Sequence, residues 1–233
     1  MTAGGRAGPE SVVLDLDGVL VDSEERWDEA RRELVAERGG TWTDEATHAM
    51  LGMSSREWSV YVRDELGVAM EPDAISDAVV ERLIAGYRRE LPLLPGAVDA
   101  VRRLGERWPL GLASSSNAPV IALVLERTGL DGIIRVWLSS EEVPRGKPAP
   151  DVYLEVARRL GADPARCAAV EDSTNGIRSA HAAGMAVVAV PMRAFPPAPE
   201  ALALASRTVD GIAEVTPEVV AEAFAAHAGG GVG

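Results

Sequence analysis

The residues best suited to chemistry in this chain are four carboxylates and one lysine. Asp15 and Asp17 follow the apolar run Val12-Val13-Leu14, and Gly18 comes directly after them. Residues two apart on extended chain point the same way. Both carboxylates therefore face one site while Leu16 turns back toward the core, and Gly18 lets the chain turn at once. A second acidic pair, Glu171-Asp172, follows Ala168-Ala169-Val170. Brought together, carboxylates about 5 Å apart repel by roughly 3 kcal/mol per pair at an effective dielectric near 20, and a divalent cation relieves that repulsion. An oxygen-only donor set of Asp15, Asp17, Glu171 and Asp172, with no cysteine or histidine nearby, suits Mg²⁺ rather than Zn²⁺. His48, His181 and His227 are scattered and match no metal or triad spacing.

Lys147 is the single lysine of the chain; all its other basic side chains are arginines. It lies in Arg145-Gly146-Lys147-Pro148-Ala149-Pro150, where a glycine and two prolines stiffen the loop, and a compact point charge there suits a phosphate oxygen. In Ser114-Ser115-Ser116-Asn117, after Leu110-Gly111-Leu112-Ala113, hydroxyls and the amides of a following helix suit phosphate oxygens as well. The alternative for this stretch is a plain helix cap. Taken together, these groups fit Mg²⁺-dependent phosphoryl transfer through an aspartyl-phosphate.

Positioning such groups calls for buried strands that end at one edge. Short apolar runs at 110–113, 133–138, 168–170 and 186–190 alternate with helical patterns at 96–107, 119–128, 150–160, 175–183 and 217–226. With the first strand near Val12, this predicts an α/β fold, a doubly wound parallel sheet with a Rossmann-like core. Ligands bind beyond the carboxyl ends of such strands. Between Ser23 and about residue 91 the pattern is helical only, with segments 42–51, 55–66 and 72–89 after a first helix capped by Ser23. The expected division is an α/β core of residues 1–22 and 93–233 and a helical insert of residues 23–92, joined by a stiff return segment at Leu91–Gly96.

The formal charge of −13 argues against nucleic-acid binding, which needs a basic surface. No signal peptide and no apolar run of membrane-spanning length is visible, so the expected protein is soluble and cytoplasmic, a monomer or a weak homodimer. Cys167 reads as a small buried residue. Residues 1–9 and Gly229–Gly233 are expected to be mobile.

The motifs at Asp15-Leu16-Asp17-Gly18, Ser114, Lys147 and Glu171-Asp172, in that order, resemble the signature of the haloacid-dehalogenase-like hydrolases. The likeness is to their phosphatase and sugar phosphomutase branch, and it covers nearly the whole chain. It implies that Asp15 is the nucleophile and that Asp17 protonates the leaving oxygen and then activates water. Ser114, Ser115 and Lys147 hold the phosphoryl oxygens, and Asp172 binds the metal, assisted by Glu171. The helical insert resembles the small cap of that family. Gly52-Met53-Ser54-Ser55-Arg56 resembles its substrate-specificity loop, with Gly52 and Arg56 against the substrate. Trp27 and Trp58 are read as cap core rather than as platforms for a sugar. Asp17 argues against a dehalogenase, which has no alkoxide to protonate. Mutases of the branch carry a histidine early in the first cap helix and a lysine before the glycine of the cap loop; those places hold Trp27 and Leu51 here. The expected substrate is a small phosphorylated metabolite, a sugar or polyol phosphate. A β-phosphoglucomutase and a non-catalytic phosphate-binding module are the alternatives.

Overall fold

The computed structural model describes residues 8–50 and 53–229. Strands β1 (Ser11–Leu14), β2 (Leu110–Ser114), β3 (Ile134–Ser139), β4 (Cys167–Glu171), β5 (Ala186–Ala189) and β6 (Arg207–Thr208) form one sheet. Its order is β3-β2-β1-β4-β5-β6, and every pairing is parallel. All residues of β1, β2, β4 and β5 are buried, as expected where helices cover both faces of a sheet. Chain order reverses around β1, which pairs with both β2 and β4. Asp15 thus leaves the sheet at its switch point, where a crevice opens in this class of fold.

Four helices separate β1 from the rest of the core: α1 (Glu24–Glu37), α2 (Ala46–Met50), α3 (Ser55–Asp64) and α4 (Pro72–Arg89). Pro72 opens α4 as anticipated, and Ser54 caps α3 through a capping box with Glu57, which satisfies amides left open at a helix start. Ser23 does not cap α1. Its backbone is already helical, and its side chain accepts no bond from the first turn. The segments entering and leaving the helical part are tied together: Asp22 N donates to Pro92 O at 2.8 Å and Leu94 N to Leu20 O at 2.9 Å. One hydrophobic cluster runs from Leu14 and Leu112 of the sheet through Trp27, Trp58, Ile75 and Tyr87 of the helices.

The chain after α4 supplies α5 (Ala97–Gly105), α6 (Ala118–Thr128), α7 (Asp151–Leu160), α8 (Thr174–Ala182), α9 (Pro199–Leu202) and α10 (Pro217–Gly229). Cys167 is buried and free. Pro9 is buried and Gly229 closes α10, so the ordered chain reaches into both ends expected to be mobile; residues 1–7 and 230–233 of those ends lie outside the described residues. Among the described residues, no helix is long and apolar enough to cross a membrane.

Candidate active site

Four strand ends converge on one cavity of about 110 Å³ between the sheet edge and the helical insert, lined by Asp15, Asp17, Ser115, Lys147 and Asp172 on the sheet side. Asp15 comes from β1, the serines from β2, Lys147 from the loop before α7, and Asp172 from β4. Gly18, at φ 71°, takes the left-handed conformation that turns the chain directly after Asp17. A side chain at Gly18 would overlap the carboxylate of Asp172, and one at Gly176 would overlap that of Glu171. Only glycine lets these turns approach the acids so closely.

Lys147 is the electrostatic centre of the sheet side. Its side chain is 4% exposed; Nζ lies 2.6 Å from Glu171 Oε1 and 2.9 Å from Asp15 Oδ1. The ammonium is directed at Glu171, so Asp15 Oδ1 is left without a directed hydrogen bond. Burial pulls the lysine down, but Asp15 and then Glu171 outweigh it and hold the ammonium above its ordinary value. Burial also pushes the Asp15 carboxyl up to about 8; Lys147 opposes this, and Glu171 and Asp17 add to it. Asp172 is raised by burial and then by Glu171 and Asp15. Carboxylates that resist ionising together are where a positive ion is most strongly favoured.

Glu171 is wholly buried and its oxygens are occupied. Tyr153 Oη donates to Oε1 at 2.6 Å; Asp172 N donates to Oε2 at 3.1 Å and Ser173 Oγ to the same oxygen at 3.2 Å. It anchors Lys147 and the turn into α8. Asp15, Glu171 and Asp172 nevertheless offer oxygens all within 4.8 Å of one another, a set that could hold a metal ion. Asp17 lies outside this set. Its Oδ2 accepts from Ser116 Oγ at 2.6 Å and from Ser114 Oγ at 3.4 Å, and its Oδ1 from Trp27 Nε1 at 3.4 Å. These bonds hold the second acid in one orientation, separate from the first.

The serines divide differently from the expectation. Ser114 is fully buried and does not line the cavity; its Oγ receives Ser116 N at 2.9 Å. Ser115 and Ser116 line the cavity instead. Asn117 directly precedes α6 without making a side-chain cap bond, and joins the two parts of the molecule: its Oδ1 accepts from Ser55 Oγ at 3.2 Å and its Nδ2 donates to Glu141 at 2.8 Å.

On the helical side the cavity is walled by Glu24, Trp27, Arg31, Met50, Met53, Ser55 and Trp58. Arg56 is exposed and borders a separate groove with Arg63, Glu71 and Asp73. Gly52 and Leu51 lie outside the described residues. Trp27 and Trp58 are buried in the hydrophobic cluster as expected for core, yet both also reach the cavity wall. Sequence reasoning passed over Arg31 and Glu24, and named Ser116 only as part of its stretch. For the first two a signal existed, since Glu24, Trp27 and Arg31 recur at spacings of three and four and so share a helix face.

The haloacid dehalogenase-like hydrolase family model matches residues 9–184. Hexitol phosphatase B of Escherichia coli strain K12 is 33% identical over 187 residues, covering 78% of this chain and 83% of its own. A phosphorylated carbohydrates phosphatase of Thermotoga maritima is 29% identical, covering 76% and 82%. Among solved structures, CbbY from Rhodobacter sphaeroides in complex with phosphate superposes with a TM-score of 0.80 at 28% identity, covering 89% of this chain and 96% of that one.

Proposed function

The chain belongs to the haloacid dehalogenase-like hydrolases, and from that premise we propose that it is a phosphatase that hydrolyses a small phosphorylated carbohydrate. One observation carries the reading: two carboxylates on one strand end are held in unlike surroundings. Asp15 abuts Lys147, while Asp17 is clasped by Ser116 and Trp27. Paired acids in distinct environments suit distinct roles. Asp15 attacks phosphorus and displaces the sugar oxygen, which takes a proton from Asp17. Asp17 then removes a proton from water, and the resulting attack on phosphorus frees phosphate and restores the Asp15 carboxylate.

Ser115, Ser116 and Lys147 face the phosphoryl oxygens. Asp15 and Asp172, with Glu171 behind them, would hold Mg²⁺. The crowded oxygen-only set and the undirected Asp15 Oδ1 fit that ion, which supplies charge neutralisation during transfer. Residues 23–92 serve as a cap unit that closes over the cavity, consistent with the bonds of Ser55 and Trp27 to core residues. The names of the two relatives, a hexitol phosphatase and a phosphatase of phosphorylated carbohydrates, support the substrate class.

The test is phosphate release from a panel of sugar and polyol phosphates with Mg²⁺, and again after chelation. Release that stops on chelation and returns with Mg²⁺ is the expected result. Conversion of β-glucose 1-phosphate to glucose 6-phosphate, primed by a trace of the bisphosphate and faster than release from any ester, would overturn it in favour of a mutase.

A further inference from the structure

Arg31 is a cation that the protein buries with carboxylates near it but, among the described residues, none bonded to it. The residue is 8% exposed, and its guanidinium lies against two indoles, 5.4 Å from the Trp27 ring centre and 4.9 Å from that of Trp58. Its Nε is buried without a hydrogen-bond partner. Among the described residues the guanidinium forms no ion pair, although Asp28 is one turn away. Asp28 is taken by Arg32, at 2.6 Å, and by Thr47, at 2.9 Å. Glu24 shares the cavity wall but stays outside ion-pairing distance; burial raises its carboxyl, and the Arg31 charge opposes that rise. The arginine remains charged: burial lowers it only to about 10. Buried charges are ordinarily paired and hydrogen-bonded, and indole faces supply attraction but no acceptor. The planar fork is therefore aimed into a cavity whose far wall holds Asp15 and Lys147, with its donors left for something that enters.

We propose that Arg31 is a specificity-determining residue that binds a second oxyanion, a carboxylate or a second phosphate, at the end of the substrate remote from the phosphate being cleaved. This rests on the phosphatase reading and narrows its substrate class from phosphorylated carbohydrates to those that also carry an acid group. A neutral polyol would leave the buried fork without a charged acceptor bonded to it, whereas an oxyanion matches the guanidinium in both charge and geometry. The flanking tryptophans hold the fork in place, so little side-chain freedom is lost on binding.

The experiment compares two matched pairs of esters that differ at the far end of the chain. One pair is 6-phosphogluconate and glucitol 6-phosphate; the other is fructose 1,6-bisphosphate and fructose 6-phosphate. The wild-type enzyme is expected to favour the acidic member of at least one pair in kcat/KM by roughly 10- to 100-fold, the range of a charged hydrogen bond. The favoured pair tells carboxylate from phosphate. Arg31→Gln should bring that ratio close to one, and Arg31→Lys, which keeps the charge, should retain part of it. Ratios near or below one for both pairs in the wild type, or a preference that survives Arg31→Gln, overturn the proposal. Should Arg31→Gln fail to fold, the wild-type ratios and Arg31→Lys decide it. Phosphate released without acid preference defeats this proposal alone; no release from any of the four esters or from p-nitrophenyl phosphate defeats the phosphatase reading with it.

Discussion

Two buried cations face each other across the cavity, and the protein treats them in opposite ways. Lys147, on the sheet side, is saturated by Asp15 and Glu171 and lies 5.2 Å from the Tyr153 ring centre. Arg31, on the helical side, has two indole faces and, among the described residues, no ion pair, its nearest carboxylates acting only at a distance. The first belongs to a network of charges in direct contact, assembled from side chains that separate strand ends bring to one edge. A preorganised set of this kind stabilises developing charge without rearranging during reaction. The second is incomplete as it stands. The chemistry is therefore assigned to the sheet side and discrimination to the helical side, and each assignment can be broken separately.

The largest effect belongs to Asp15→Asn. The amide is isosteric but a poor nucleophile, so phosphate release should fall to background while the circular dichroism and unfolding transition stay those of a folded protein. Retained turnover would mean that the sheet-side network does not house the nucleophile. Asp17→Asn comes next. Loss of general acid catalysis slows release of a sugar alkoxide by about 10² to 10⁴, with a much smaller loss on p-nitrophenyl phosphate, whose leaving group needs no proton. Equal losses on the two substrates would remove Asp17 from that role.

Lys147→Met tests whether the network also holds the fold. Glu171 would be left wholly buried without its cation, and breaking such a pair destabilises by about 3–5 kcal/mol, read as a lower urea midpoint at unchanged slope. A variant as stable as the wild type would show that Tyr153 and Ser173 alone satisfy Glu171.

Much of the sheet side was legible in the sequence because strand ends announce themselves. An apolar run that stops at Asp15, at Glu171 or at the serines has few other places to put those groups, and the parallel order follows from the strand–helix alternation. Which serine faces the cavity was not legible. Ser114 is still within β2 and bonds to Ser116 N, and the turn conformation that brings Ser115 and Ser116 to the wall has no period to read. Strand β6 was invisible for a related reason: Arg207 and Thr208 are both exposed, and the strand exists only through its backbone pairing with β5. The helical wall was hardest. Trp27, Ala30, Leu34 and Val35 stand out as the apolar face of α1, and the eye passes over Arg31 because a charge is expected on the other side. A cation inside an apolar stripe, one turn after a tryptophan, was the available signal.

The smallest expected effect is the one that most sharpens the contrast. Arg31→Met keeps a long, flexible side chain against Trp27 and Trp58 but removes the charge. If Arg31 were held as Lys147 is, the change would strand a buried partner and cost as much as Lys147→Met. It forms no ion pair among the described residues, and Glu24 feels it only at a distance, so modest terms oppose each other. Cation–π attraction, about 0.5–2 kcal/mol, is lost, and the desolvation of an unpaired charge, of at least comparable size, is relieved. The urea midpoint should therefore correspond to a stability within about 1 kcal/mol of the wild type. A destabilisation matching that of Lys147→Met would make Arg31 a structural member of the helical wall and erase the difference between the two cations.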